Sequence, residues 1–239
     1  MGHWAHLQED YREQGFVIVE RFFSPGEIQE AAASQDRFYQ GQYDRKPEFS
    51  WPLPRPCRSR TRKHPYASFY LSSFDQMLRD GRLATLIKEV CGLRSLRFWH
   101  DQLLYEEPSA HQVIDYHWHR EQSRWLTCKA TAMVTAWIPL TEFTQEMGPI
   151  TLIASKSDHQ KEYPMTLQSG DLVLFDQTLL HGNPPNRGTK VRRAIAAHYA
   201  SGDLTYRSCG RFSHVNERIV RQKNHVPDFT DERVCPKVG

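Results

Sequence analysis

The sequence predicts a mainly β fold with flanking α-helices around a jelly-roll core, and three observations carry that prediction. After Gly92 the chain breaks into short runs of β-branched, aromatic and aliphatic residues at 96–105, 113–121, 129–139, 149–154, 171–175 and 191–199, separated by turn-like residues. Before Gly92 the apolar positions fall at helical spacing, and helices followed by strands suit a sheet core with helices packed outside it. The 6 Trp and 12 Phe among 239 residues supply large side chains for that core.

Residues 5–14 are polar and helix-tolerant, and Gly15 stops them before Phe16-Val17-Ile18-Val19, a β-branched strand. Ser24-Pro25-Gly26-Glu27 offers an N-cap, a Pro at the first helical position and a Glu three residues after the cap. A helix is therefore predicted from about Pro25 into the mid-thirties. From Gln40 to Tyr66 five prolines break any long element, which predicts an irregular loop. That loop holds a basic cluster, Arg55, Arg58, Arg60, Arg62 and Lys63, read either as a solvated surface or as a contact for a substrate carboxylate or phosphate. Residues 76–91 repeat at helical spacing and Gly92 suits their C-cap. Beyond Arg207 a surface helix near 213–221 and then loosely held coil are expected. The length suits one domain over 1–239: helical support over 1–92, the core over about 93–207, and a C-terminal surface segment over 208–239.

A formal charge of +3 is too small for a nucleic-acid binder. Five cysteines, an odd count without a Cys-x-x-Cys pair, suit reduced thiols and no disulfide. No secretory signal or apolar run of membrane-spanning length is visible, and His6 stands where a myristoylation signal needs Ser or Thr. A cytoplasmic protein acting on a small molecule, with no membrane partner, is expected; the oligomeric state is not legible.

The chemistry concentrates in Tyr116-His117-Trp118-His119-Arg120-Glu121. On a β-strand, 117, 119 and 121 share a face. His119 and Glu121 would supply two metal ligands, and His181, after the apolar run 172–175, a third. Two imidazoles and a carboxylate on one face of a metal form the triad of non-haem Fe(II) oxygenases. Between His181 and Arg192 lies the turn-rich Asn183-Pro184-Pro185-Asn186-Arg187-Gly188, which predicts a hairpin placing those two residues side by side. Arg192 would then offer a planar fork to the far carboxylate of metal-bound 2-oxoglutarate. A cupin-type site using His117, His119, Glu121 and His181 shares the same parity, and leaves Arg192 without a role. Trp118, Trp125 and His198 read as packing residues.

Several segments, taken in order, resemble the phytanoyl-CoA dioxygenase family. They are Gly15 to Val19 with Phe22-Phe23-Ser24, Trp118 to Glu121, Ala136-Trp137-Ile138-Pro139-Leu140, Met147-Gly148-Pro149-Ile150, Gly170 to Phe175, and His181-Gly182 through Arg192-Arg193-Ala194. The resemblance spans roughly residues 7–200. It implies a double-stranded β-helix, cupin-like core and an oxygenase using Fe(II), 2-oxoglutarate and O2. It assigns iron to His119, Glu121 and His181, and 2-oxoglutarate to Arg192, with Gln102 lining the cosubstrate pocket. The activity expected is hydroxylation of an unactivated C–H bond of a natural-product or amino-acid-like intermediate, releasing succinate and CO2. Halogenating relatives lack the carboxylate ligand, and Glu121 fills that place.

The sequence departs from the family pattern twice. Glu121 stands where the family usually has Asp. Glu106 and Glu107 stand where many relatives carry a Lys, a change that would favour a cationic substrate or else marks exposed glutamates at a strand end. The Asp-to-Glu change also motivates a reading as a non-catalytic binding protein on the same fold.

Overall fold

A computed structural model of the chain describes residues 4–49, 59–108, 118–154, 161–209 and 214–239. Its N-terminal part follows local signals. Gln8–Gln14 is helical and ends at Gly15, whose left-handed φ of 82° suits a residue without a side chain. The strand Phe16–Val19 follows. Ser24 caps the helix Pro25–Tyr39 through a full capping box, in which its hydroxyl accepts the Glu27 N–H and the Glu27 carboxylate accepts the Ser24 N–H at 2.7 Å. Such a cap contributes about 1 kcal/mol. The stretch expected to be helical over 76–91 is divided between two helices, Ser72–Leu78 and Gly81–Cys91. The Asp80 carboxylate accepts the Arg82 N–H and starts the second helix afresh, and Gly92 ends it as predicted.

Two antiparallel sheets enclose the core, a double-stranded β-helix. The major sheet runs Phe16–Val19, Leu172–Asp176, Met133–Pro139, Arg192–Ser201, Leu96–Glu106, Lys237–Val238, with Thr61–Pro65 also paired onto Leu96–Glu106. The minor sheet runs Glu162–Pro164, Thr151–Ile153, Leu180–Gly182, and His119 extends it by a bridge to His181. Alternation along the strands assigns each side chain a side. Val173, Phe175, Trp137, Ala194 and Ala196 point inward and pack with Ile150 and Leu152 near the minor sheet. Leu172, Leu174, Ala136, Ile138, Ile195 and Ala197 point outward into a larger core with Ile28, Phe38, Leu83, Leu86 and Ile87 of the helices. Small alanines on the inner face leave room between the sheets, where the candidate site lies.

The structure corrects four local expectations. The strand expected over 113–121 is not seen in its described part: 109–117 lie outside the described residues, His119 makes one bridge, and Glu121–Ser123 is a 3-10 turn. His181 and Arg192 are not hairpin neighbours; His181 pairs with Leu152 in the minor sheet and Arg192 with Glu106 in the major sheet. The loop expected over 40–66 contains the strand Thr61–Pro65, which borrows its order from the edge of Leu96–Glu106. The C-terminal segment is anchored rather than loose. The expected surface helix is a short one, Asn216–Ile219. The buried Asn216 amide reaches the Trp99 carbonyl and accepts from the Tyr66 hydroxyl, Arg97 donates to the Cys235 carbonyl, and Lys237–Val238 joins the major sheet. Cys91, Cys128 and Cys235 are free thiols, and Cys57 lies outside the described residues. Among the described residues no helix is long and apolar enough to cross a membrane.

Candidate metal centre

His119, Glu121 and His181 converge although no regular strand carries the first two. The backbone of His119 and His181 exchanges two hydrogen bonds of 2.9 Å, which brings the imidazoles to 4.3 Å between ring centres. The 3-10 turn that begins at Glu121 then folds its carboxylate back between them. Glu121 Oε1 lies 3.5 Å from His119 Nε2 and 3.5 Å from His181 Nε2. Donors at right angles and about 2.1 Å from a metal lie about 3.0 Å apart, so a small contraction would complete three coordination bonds. Among the described residues this is the one group of three His, Cys, Asp or Glu side chains gathered closely enough to hold a metal.

The protonation states suit that role. Burial works against charge on Glu121, but its contacts with His119 and His181 outweigh burial and hold the carboxyl well below the usual carboxylate range. No proton need leave it at neutral pH. His181 Nδ1 lies 3.0 Å from the Leu179 carbonyl, so Nδ1 carries the hydrogen and the Nε2 lone pair is left for a metal. His117 lies outside the described residues, so a fourth ligand from it is not described.

A cavity of about 180 Å³ is lined by both His119 and Arg192. Trp137, Phe143, Leu104 and Ala194 form its apolar wall, and Lys63 and Arg124 stand on its cationic side. Lys63 faces inward across from Leu104 because Thr61–Pro65 pairs in register with Leu96–Glu106. Gln102 shares the inner face with Leu104 and Glu106, opposite Ala196, but does not line this cavity. Arg192 is held on the cavity wall by several contacts. Its Nη1 donates to the carbonyls of Met147, Gly148 and Pro184, and its Nη2 to the Glu106 carboxylate.

Glu106 is therefore neither an exposed strand-end glutamate nor a free partner for a cationic substrate. Glu107 pairs with Arg60 at 3.3 Å and Arg62 at 3.8 Å, which commits two residues of the basic cluster. Arg55 and Arg58 lie outside the described residues. Parity of the two long strands was the signal for the Glu106–Arg192 pair, readable only once their register is known.

Beyond the candidate ligands lies a column of imidazoles, of which the sequence singles out only His198. His198 and His100 are 4.3 Å apart between ring centres, His100 and His214 4.9 Å, and Trp125 packs on His198 at 4.9 Å. Burial depresses all three histidines, His198 to about 4, His214 to about 3 and His100 well below its ordinary value. They are neutral packing groups with Thr135 Oγ1 on His198 Nδ1.

The family model for phytanoyl-CoA dioxygenase (PhyH) matches residues 11–194. No curated protein sequence matches. Among solved structures, the carbocyclase SnoK from nogalamycin biosynthesis superposes with a TM-score of 0.76 at 18% identity, covering 100% of this chain and 97% of its own. The epimerase SnoN from the same biosynthesis gives 0.71 at 19%, covering 86% of each chain. HygX from Streptomyces hygroscopicus, solved with nickel and 2-oxoglutarate bound, gives 0.62 at 15%, covering 85% of this chain and 88% of its own. At these identities the likeness establishes the double-stranded β-helix fold, and the match over residues 11–194 establishes more: this chain belongs to the phytanoyl-CoA dioxygenase (PhyH) family, whose enzymes use Fe(II), 2-oxoglutarate and O2.

Proposed function

We propose that the chain, acting as one domain, is an Fe(II)- and 2-oxoglutarate-dependent oxygenase that hydroxylates an unactivated C–H bond of a small molecule and releases succinate and CO2. The convergence of His119, Glu121 and His181, with His119 and Arg192 lining one cavity, carries this reading. The donor set, two imidazoles and one carboxylate, suits Fe(II), and His119, Glu121 and His181 would hold it with coordination positions left for the oxo acid and O2. Iron bound there with the oxo acid and O2 supplies the oxidising chemistry.

The remaining work falls to the chain's own groups. The Leu179 carbonyl fixes the His181 tautomer and ring orientation. Arg192 would take the far carboxylate of 2-oxoglutarate, and Gln102 shares that inner face but stands outside the cavity lining. Trp137 and Phe143 keep water from the reacting centre. SnoN has been solved with nogalamycin RO bound and HygX with hygromycin B bound, which supports a natural-product-type substrate.

The test is succinate formation from 2-oxoglutarate on adding Fe(II), O2 and a panel of small-molecule candidates. Product mass then separates hydroxylation, a gain of one oxygen, from epimerisation and ring closure. Absence of succinate across the panel, with no metal bound by the protein, would favour a non-catalytic binding protein.

A further inference from the structure

Two cations of the cavity have no acid beside them. Arg62 stands with Glu107 at 3.8 Å and Arg192 with Glu106. Lys63 and Arg124 line the same cavity, and among the described residues neither forms a hydrogen bond or ion pair through its side chain.

Register separates the two. Lys63 lies opposite Leu104, and Leu104 opposite Ala194, two residues along each long strand from the Glu106–Arg192 pair. Residues two apart on a strand share a face, so Lys63 belongs to the sheet face that carries Arg192. Arg124 comes from elsewhere. It follows the 3-10 turn Glu121–Ser123, and its backbone N–H donates to the Glu121 carbonyl at 2.8 Å. The turn that presents the metal-binding carboxylate therefore also places this guanidinium, and Arg124 is exposed, within reach of a molecule entering from solvent.

Charge favours an acid there. The Arg62–Glu107 and Arg192–Glu106 pairs are neutral, Lys63 and Arg124 add two positive charges, and a divalent metal with Glu121 adds one more. The two carboxylates of 2-oxoglutarate cancel two of the three. One positive charge remains, and an uncharged substrate closing over it would leave a cation cut off from water without a partner, which costs free energy. A planar guanidinium takes a carboxylate through two parallel hydrogen bonds.

We propose that the substrate carries a carboxylate and that Arg124 binds it, with the apolar remainder of the molecule against Trp137 and Phe143. The proposal rests on the oxygenase reading and adds to it a class of substrate and the residue that selects it.

The experiment is calorimetric titration of the full chain, loaded with Ni(II) and saturated with 2-oxoglutarate so that the metal and Arg192 are already occupied. The probes are hexanoate and hexanamide, alike in shape and different in charge. The native chain is expected to bind hexanoate at least about tenfold tighter than hexanamide, and Arg124→Gln to bring that ratio below about threefold. Binding of neither probe, or a native ratio below about tenfold, overturns the proposal whether or not the variant folds, and so does a folded Arg124→Gln whose ratio stays above about threefold. A chain that takes up neither Ni(II) nor 2-oxoglutarate overturns the oxygenase reading and the proposal with it. A chain that takes up both and ignores the charge on the probe loses the proposal alone.

Discussion

Replacing Glu121 by Gln tests the metal centre with the least disturbance to the fold. The amide matches the carboxylate in shape, and the residue is 8% exposed, so little repacking is required. What is lost is the charge that two imidazole nitrogens approach at 3.5 Å. Structural zinc sites with four ligands bind with about 10–16 kcal/mol, or about 3 kcal/mol per ligand, which corresponds to a factor of about 100 or more in Kd. Glu121→Gln is therefore expected to weaken Ni(II) or Fe(II) binding at least about 100-fold, while the metal-free protein melts within a few degrees of the native chain. Anaerobic competition titration against a chelator of known affinity reads the first quantity and circular dichroism the second. A variant that binds one metal ion with unchanged affinity would refute the triad, because the remaining two imidazoles would then account for the site.

Three further outcomes follow from the same geometry. His119→Ala and His181→Ala are each expected to abolish stoichiometric iron binding, measured by metal analysis after gel filtration; unchanged stoichiometry in both sinks the assignment. Gly148→Ala is expected to cost about 2–4 kcal/mol in urea unfolding, because φ is +61° and a Cβ would run into the Pro184 and Pro185 carbonyls; a cost below about 1 kcal/mol contradicts that packing. Acid should destabilise the metal-free protein through the buried imidazole column. Unfolded histidines gain protons as pH falls below about 6.5, whereas folded His198 stays neutral to about 4 and His214 to about 3. Their stabilisation is thus complete above pH 6.5 and is lost as pH falls toward those values, about 3 kcal/mol for His198 alone at 1.36 kcal/mol per unit. Urea midpoints that stay flat between pH 7 and pH 4.5 would show the column to be solvated.

Much of the architecture was local and therefore legible. The capping box at Ser24 and Glu27, the glycine stops at 15 and 92, and the long β-branched runs are decided by side chains a few residues apart. The turn at Asp80 escaped notice because the apolar spacing continues across it while one carboxylate restarts the helix. The strand Thr61–Pro65 has no pattern of its own, since its order comes from the edge it pairs with.

The candidate site divides the same way. Sequence by itself pointed to the candidate ligands His119, Glu121 and His181 and to the cation Arg192, because chemistry restricts which side chains can hold iron or a carboxylate. Only the tertiary structure decided how they meet. A bridge between His119 and His181 and a 3-10 turn at Glu121 do what strand parity was expected to do. Arg192 sits in the other sheet from His181, opposite a glutamate 86 residues away. Strand pairing is set by which faces bury together across the whole chain, and no local pattern encodes it; that is why Glu106, read from the sequence as a contact for a cationic substrate or an exposed strand-end residue, becomes the partner of Arg192.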